Sequence, residues 1–163
     1  MSRQLSELEG ILQQLVIEHR RLLSFVEKHE AAMKSFDLKA MDDAGHLQEA
    51  SRLRIAMLEQ RRRNAVVQVT KGMNLKGEVT MRKLASIFPA RAEALMQLRA
   101  DLKQVVQQIQ TRTHVTGKLA AAVLGHLNTV VRLIAGVVEK AGLYTKHGVP
   151  QVSNRIGMME AVG

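Results

Sequence analysis

The sequence predicts an all-α protein, an elongated antiparallel helical bundle or coiled-coil hairpin of three to four helices with a flexible C-terminal tail. Hydrophobic residues make up 46% of the 163 residues but aromatic residues only 2%. The apolar surface is therefore mostly aliphatic, which suits packing of helix against helix. The chain has only two prolines, which leaves room for long helices. The alternating runs of β-branched and aromatic residues that are typical of strands are missing from the sequence.

The first predicted helix carries the clearest pattern. Its apolar residues, together with two histidines, recur at alternating spacings of three and four over four heptads, as in a coiled-coil seam. We expect this helix to end near Ser35. The seam consists of Leu5, Leu8, Leu12, Leu15, His19, Leu22, Val26, His29 and Met33.

A second helix is predicted to begin at Asp37, which is a favourable N-cap residue. Because the break between the two helices is only a few residues long, it favours an antiparallel hairpin or a sharp kink. Gly72 is a natural stop, and residues 72–77 are predicted to form a loop. The apolar face of this helix consists of Leu47, Ser51, Ile55, Leu58, Ala65 or Val66, and Val69.

The remaining helical pattern begins with a short helix that Thr80 can cap and that runs through Ile87. Pro89 suits the first turn of a long final helix. This helix either runs on without interruption or has a kink or a break at residues 112–117. The helical pattern ends at Gly142. The last 21 residues have no helical period, so we expect them to be disordered in the free protein. The predicted organisation is a helical bundle domain, 1–142, followed by a flexible partner-binding tail, 143–163.

Composition argues against an enzyme. The chain has no cysteine, which excludes disulfides and thiolate chemistry. It also has no glycine-rich phosphate loop and no nucleophile motif. No two of the six histidines lie one helical turn apart, so we expect neither a metal site nor a cofactor. His19, His29 and His126 fall on apolar seams, where they are interpreted as half-buried polar positions.

The formal net charge of +9 is compatible with an acidic protein, a nucleic acid or an anionic membrane surface as partner. Arginines cluster on the second helix, but no aromatic residues are interleaved with them to stack on bases. A solvated helix face is the favoured interpretation, and no nucleic acid partner is expected. The cluster consists of Arg52, Arg54, Arg61, Arg62 and Arg63.

Localisation is predicted to be cytoplasmic. The N-terminus turns amphipathic at once and has no apolar signal core. The most apolar stretch, residues 130–138, is interrupted by Arg132, and we expect it to be too short to span a bilayer. No membrane insertion is therefore expected.

Two regions are candidates for binding a partner. The final helix carries an apolar stripe that is predicted to form an exposed groove for a helical segment of cargo. Tyr144, the only tyrosine, lies beyond this helix and is a candidate anchor for a partner pocket, unless it folds back to cap the bundle. The predicted groove residues are Leu119, Val123, Leu127, Val130, Ile134 and Val138.

The tail carries a spaced motif in which Leu-Tyr, Gly, Val-Ser, Arg and Gly are separated by three, three, one and one residues. Its residues are Leu143, Tyr144, Gly148, Val152, Ser153, Arg155 and Gly157. This motif resembles the C-terminal signature of FlgN-like flagellar type III export chaperones. The rest of the chain is compatible in its helical layout, including the basic stretch at residues 58–62.

This resemblance implies a chaperone that binds newly made hook-associated (hook–filament junction) proteins in the cytoplasm. It would prevent their premature assembly and deliver them to the type III export apparatus. The resemblance also implies that cargo binds the C-terminal helix and tail, and that Tyr144 takes part in docking to the membrane export gate. No ATP or metal is implied for the chaperone itself.

Two alternatives remain open from the residues alone. The seam from Leu5 to Met33 would also suit a structural coiled-coil interaction module, including a homodimer. The positive charge would suit a basic helical nucleic-acid-binding protein. The sequence does not select the preferred junction protein or the oligomeric state.

Overall fold

The computed structural model describes residues 2–71, 73, 75 and 78–140, with side chains described between 3 and 136. In this part of the chain the secondary structure is entirely helical. The elements are α1 (Ser2–Lys34), α2 (Leu38–Thr70), α3 (Met81–Ile87), a short 3-10 helix (Pro89–Arg91) and α4 (Ala92–Lys140). The predicted all-α class is therefore confirmed.

The chain divides into two compact units, Met1–Leu119 and Ala120–Gly163. The first unit contains α1, α2, α3 and the first part of α4, and the second contains the rest of α4. The domain boundary predicted from the sequence, between residues 142 and 143, lies outside the described residues and stays a prediction.

The connection between α1 and α2 is a tight hairpin turn. Phe36 adopts a left-handed conformation with φ 53°. Its N–H donates to Met33 O, and the N–H of Asp37 donates to Ala32 O at 3.0 Å, which is the Schellman pattern for ending a helix. Asp37 also caps α2, because its Oδ1 accepts a hydrogen bond from the N–H of Ala40 at 3.0 Å. One residue thus ends α1 and begins α2, which confirms the predicted cap.

Polar contacts between α1 and α2 show that the two helices are antiparallel. Gln48 Nε2 lies 2.7 Å from Nδ1 of His29. Further along, Arg54 Nε donates to Glu18 Oε1 at 2.8 Å. The residue number rises along α2 while it falls along α1, so the hairpin is formed and the alternative of a sharp kink is excluded.

The predicted roles of Thr80 as a cap and of Pro89 in a first helical turn are also confirmed. The hydroxyl of Thr80 accepts a hydrogen bond from the N–H of Lys83 at 3.2 Å and so begins α3. Pro89 occupies the first position of the 3-10 helix that leads into α4, where its missing N–H costs no hydrogen bond.

Within the first unit, α4 runs parallel to α1. Arg91 Nη1 lies 3.0 Å from Glu9 Oε2, and Arg112 Nη1 lies 3.2 Å from Glu30 Oε2. Both pairs join residues that are 82 apart in sequence, so residue numbers rise together along the two helices. The first unit is therefore an up-down-up arrangement of α1, α2 and α4. The helix is continuous through 112–117, so the break that the sequence left open does not occur.

The core of the first unit lies where all four helices meet. Leu8, Leu12, Leu15, Leu84 and Leu95 are almost fully buried there. The predicted seam of α1 is thus confirmed as a packing surface, and it packs inside the chain. The buried residues of this cluster are Leu5, Leu8, Ile11, Leu12, Leu15, Ala65, Val69, Leu84, Ala85 and Leu95.

The three histidines assigned to apolar seams differ in their burial. His19 and His29 are half-buried as expected, whereas His126 is exposed. The prediction was wrong for His126 because most of α4 around it is exposed as well.

Candidate partner-binding surfaces

The described part of the second unit is an amphipathic helix with large apolar side chains in solvent. Leu124 and Val131 are each 63% exposed, Leu133 is 66% exposed and Ile134 is 58% exposed. Large aliphatic side chains are normally buried, and a contiguous exposed group of them marks an interaction surface. We call this surface the α4 stripe; it consists of Leu124, Leu127, Val130, Val131, Leu133 and Ile134.

The spacing of the stripe places its members on one side of α4. Leu127, Val130, Val131 and Ile134 follow the i, i+3, i+4, i+7 pattern of a single helix face. At about 100° per residue, Leu124 and Leu133 extend this face on either side to roughly half of the circumference. Arg132 lies on the other half, together with Asn128 and Thr129. The stripe can therefore be covered by one partner surface while the charged side stays in water.

The residues predicted for the cargo groove have different environments. Leu127, Val130 and Ile134 are exposed, as a binding surface requires. Val123 is buried at 8% exposure and Leu119 is half-buried. The side chain of Val138 lies outside the described residues. The predicted set follows the stripe only over its C-terminal part, and Leu124, Val131 and Leu133 are exposed neighbours that the sequence interpretation did not include.

The predicted tail residues are not described by the structure. Leu143, Tyr144, Gly148, Val152, Ser153, Arg155 and Gly157 all lie beyond residue 140. Their role stays a prediction from the resemblance.

The hydropathy of the last helix corrects one estimate from the sequence. The helix between Pro89 and Gly136 is long and apolar enough to cross a membrane, by length and composition. An 18-residue stretch of it has a mean hydropathy of 1.5. The apolar stretch is longer than residues 130–138, because residues 119–127 are mostly apolar as well. Length and composition alone do not show membrane insertion. Only 6% of the 18-residue stretch is buried, which agrees with the exposure of the α4 stripe.

A second exposed apolar surface, which the sequence interpretation missed, lies on the α1–α2 hairpin. Ile17 is 56% exposed and Met57 is 68% exposed, and both line a groove of about 310 Å³. Ile17 lies outside the heptad seam, on the side of α1 that was expected to be polar. An isoleucine at a solvent-facing position of an otherwise regular heptad pattern was the signal that could have identified this surface.

A buried carboxylate organises the arginines beside this groove. Glu18 is 5% exposed and accepts hydrogen bonds from Ser51 Oγ at 2.8 Å and Arg54 Nε at 2.8 Å. Arg21 Nη1 lies 2.9 Å from its other oxygen. Burial alone would raise the pKa of Glu18, but the hydrogen bonds from Arg54 and Ser51 and the charges of Arg54 and Arg21 together lower the pKa below 4.5. Glu18 is therefore ionised at neutral pH and holds the two arginines in place.

No group of three or more His, Asp or Glu side chains that could hold a metal ion occurs among the described residues. The described part of the chain thus offers two apolar surfaces bordered by polar and basic groups, which is the chemistry of protein binding.

An exposed apolar helix face is a surface that binds another protein, and comparison with known families gives the particular class. Residues 1–151 match the family model described as FlgN protein, so this chain belongs to the FlgN family. This is a family of flagellar export chaperones and not of enzymes, which confirms the resemblance seen in the tail. The match includes Leu143, Tyr144 and Gly148 and ends before Val152. Neither the curated proteins nor the solved structures gave a match.

Proposed function

We propose that this protein binds hook-associated (hook–filament junction) proteins in the cytoplasm, prevents their premature assembly and delivers them to the type III export apparatus. The α4 stripe is the cargo-binding surface. The general role as a flagellar export chaperone follows from membership of the FlgN family. The choice of cargo and the delivery step are our proposal.

The observation that carries the proposal is the exposure of the α4 stripe. Transfer of a Val, Leu or Ile side chain from water to an apolar contact stabilises a complex by roughly 1.5–3 kcal/mol when burial is complete. Val130, Val131 and Ile134 follow one another on a single face and are all exposed. A segment of cargo that folds as an amphipathic helix on binding can cover this face, and such a segment would be shielded from assembly while it is bound.

The tail supplies the second part of the proposal. Leu143, Tyr144 and Gly148 lie within the residues that match the family, and Val152, Ser153, Arg155 and Gly157 continue the signature. We propose that this segment contacts the export gate, with the Tyr144 ring as its anchor, and that it also contributes to cargo binding. A tyrosine combines a large apolar ring with a hydroxyl, which suits it to a partner pocket.

The burial of the α1 seam argues against the coiled-coil alternative. Leu8 is 1% exposed and Leu15 is 0% exposed, because both pack inside the first unit. The seam is therefore not available for a zipper with a second copy of the chain. A homodimer would have to use another surface, such as the α4 stripe, and would then compete with cargo.

A pull-down from a flagellated bacterium tests this function. The full chain is compared with a version that ends at Ala141, and light scattering of each purified protein reports its oligomeric state. We expect the full chain to retain hook-associated proteins and export-gate components, and the shortened chain to lose or reduce the export-gate components. If neither version retains a flagellar protein, the proposal is wrong.

A further inference from the structure

The α1–α2 hairpin carries a groove that the proposed function does not use. The groove belongs to the first unit, whereas the α4 stripe belongs to the second. Its volume is about 310 Å³. Its lining includes Ile17, Arg21, Arg54, Met57, Leu58 and Arg61.

The floor of the groove is apolar and faces solvent. Ile17 of α1 and Met57 of α2 are both more than half exposed, and Leu58, which also lines the groove, is half-buried. Methionine adapts its shape to different ligands because its side chain is unbranched and polarizable. The floor thus resembles the grooves that accept the apolar face of a partner helix.

The rim of the groove is positively charged. Arg21 and Arg54 are held in position by Glu18, at 2.9 Å and 2.8 Å. Arg61 is exposed and makes no ion pair or hydrogen bond within the described part of the chain. Three arginines against the one carboxylate of Glu18 leave an excess of positive charge around an apolar floor. Such a surface is complementary to a helix with carboxylates on both sides of an apolar stripe.

We propose that this groove binds an acidic amphipathic helix of a partner protein. The apolar side chains of the helix contact Ile17 and Met57, and its carboxylates pair with Arg21, Arg54 and Arg61. This is a second docking surface, formed by residues of α1 and α2 and sharing no residue with the α4 stripe.

Two other occupants fit the groove less well. A second copy of this chain would bring the same arginines and a formal net charge of +9, so like charges would oppose its binding. A nucleic acid would pair with the arginines, but none of the lining residues is aromatic. Isoleucine and methionine at the floor give bases no ring on which to stack.

Fluorescence anisotropy with a designed peptide tests the proposal on the full-length chain. The probe is a fluorescein-labelled helical peptide with leucines at i, i+3, i+4 and i+7 and glutamates on both flanks. The control peptide has lysines in place of the glutamates. Binding of the glutamate peptide, with at least tenfold weaker binding of the lysine peptide at low salt, is the expected result.

A matched pair of variants assigns the binding to the groove. Arg61→Glu reverses a charge at the rim, whereas Arg63→Glu makes the same change two residues further on. Arg63 is exposed on α2 and does not line the groove. We expect Arg61→Glu to weaken binding of the glutamate peptide by about tenfold and Arg63→Glu by less than twofold. Equal losses in both variants would mean general attraction to a basic protein and would overturn the proposal.

Methyl NMR of the methionines gives a second, site-specific readout. The signal of Met57, assigned with Met57→Leu, should shift on addition of the glutamate peptide, while the signal of Met33, which is buried at 6% exposure, should not. Failure of the Met57 signal to shift would place the peptide elsewhere and overturn the proposal. So would a single-stranded RNA that binds more tightly than the peptide and is weakened by Arg61→Glu. Neither result depends on the α4 stripe, and Val130→Ala with Ile134→Ala should leave peptide binding unchanged.

Discussion

Arg112 of α4 lies 3.2 Å from Glu30 of α1, and this ion pair repeats the contact of Arg91 with Glu9 at 3.0 Å near the start of both helices. Both pairs join residues 82 apart in sequence, so the same length of chain, about three heptads, separates the two glutamates of α1 and the two arginines, of which Arg91 directly precedes α4. In each pair the carboxylate is buried while the arginine is half-exposed. The two pairs thus mark a parallel register of α1 and α4.

Loss of Arg91, the partner of Glu9, should destabilise the fold. Glu9 is 8% exposed, and its Oε1 has no hydrogen-bond partner among the described residues. Arg91→Ala would leave this carboxylate buried without its cation, and we expect a loss of about 1–2 kcal/mol in the free energy of unfolding, because solvent at the half-exposed arginine moderates the effect. Urea denaturation at neutral pH measures this change.

The matched controls for Arg91→Ala are a second arginine and a double variant. Arg63→Ala removes an exposed arginine that has no ion pair in the described part of the chain, and its effect should be within about 0.5 kcal/mol. Adding Glu9→Gln to Arg91→Ala removes the uncompensated charge and should recover part of the loss. If Arg91→Ala is as stable as Arg63→Ala, the pair with Glu9 does not hold the register.

Glu18 should make stability depend on pH in the acidic range. Its pKa is lowered below 4.5, so the folded state binds the proton less readily than the unfolded state. The stabilisation is fully present above pH 4.5 and is lost as the pH falls through the lower pKa of the folded state. Glu18→Gln should therefore be less stable than the parent at pH 7, and the difference should shrink toward pH 3.

Chemical denaturation at several pH values between 7 and 3 measures this convergence. Glu30, whose pKa is lowered chiefly by the hydrogen bond from Lys34, titrates in the same range, so Glu18→Gln should reduce the pH dependence without abolishing it. A constant difference between the two proteins at every pH would show that the charge of Glu18 is not the stabilising feature.

His29 should contribute a separate pH dependence closer to neutrality. Burial lowers its pKa below 6.5, so the neutral form is favoured in the folded state, beside Gln48 at 2.7 Å. This stabilisation is fully present above pH 6.5 and is lost as the pH falls from there through the lower folded pKa. We expect His29→Gln to flatten the decline in thermal stability below pH 6.5.

His46→Gln is the control for this measurement, since His46 is exposed on α2. Its stability should follow that of the parent protein over the same pH range. Parallel curves for the parent, His29→Gln and His46→Gln would contradict the role assigned to His29.

Local signals in the sequence were sufficient for the helices and insufficient for their arrangement. Asp37 and Thr80 mark helix starts through hydrogen bonds within four residues, and Pro89 does so through its fixed backbone angle and missing N–H, so their effect could be predicted without knowledge of the fold. The register of α1 against α4 depends on residues that are far apart in sequence, and heptad spacing does not identify the partner of a seam. The left-handed Phe36 was also unforeseen, because glycine or asparagine normally occupies such a position.

The candidate surfaces were likewise predictable where local spacing decides and not where the arrangement of helices decides. Periodicity identified Leu127, Val130 and Ile134 as one face of the last helix, and their exposure agrees with a binding surface. Periodicity could not show that Val123, on the same face, is buried. The spacing of apolar residues does not indicate where the packed part of a helix ends and the exposed part begins. Ile17 was overlooked since a single apolar residue off the seam is common on protein surfaces, and only the fold places it beside Met57.

The most direct test of the account is the affinity of the purified protein for a purified hook-associated protein, measured by titration calorimetry. The test variant is Val130→Ala with Ile134→Ala, and the matched control is Leu38→Ala with Val67→Ala, two exposed apolar residues of α2. We predict that the test variant binds at least about ten times more weakly than the parent while its circular dichroism stays helical, because alanine favours helices and only the apolar contact is lost. The control should bind as the parent does. Equal affinities of the parent, control and test variant would contradict the assignment of cargo binding to the α4 stripe.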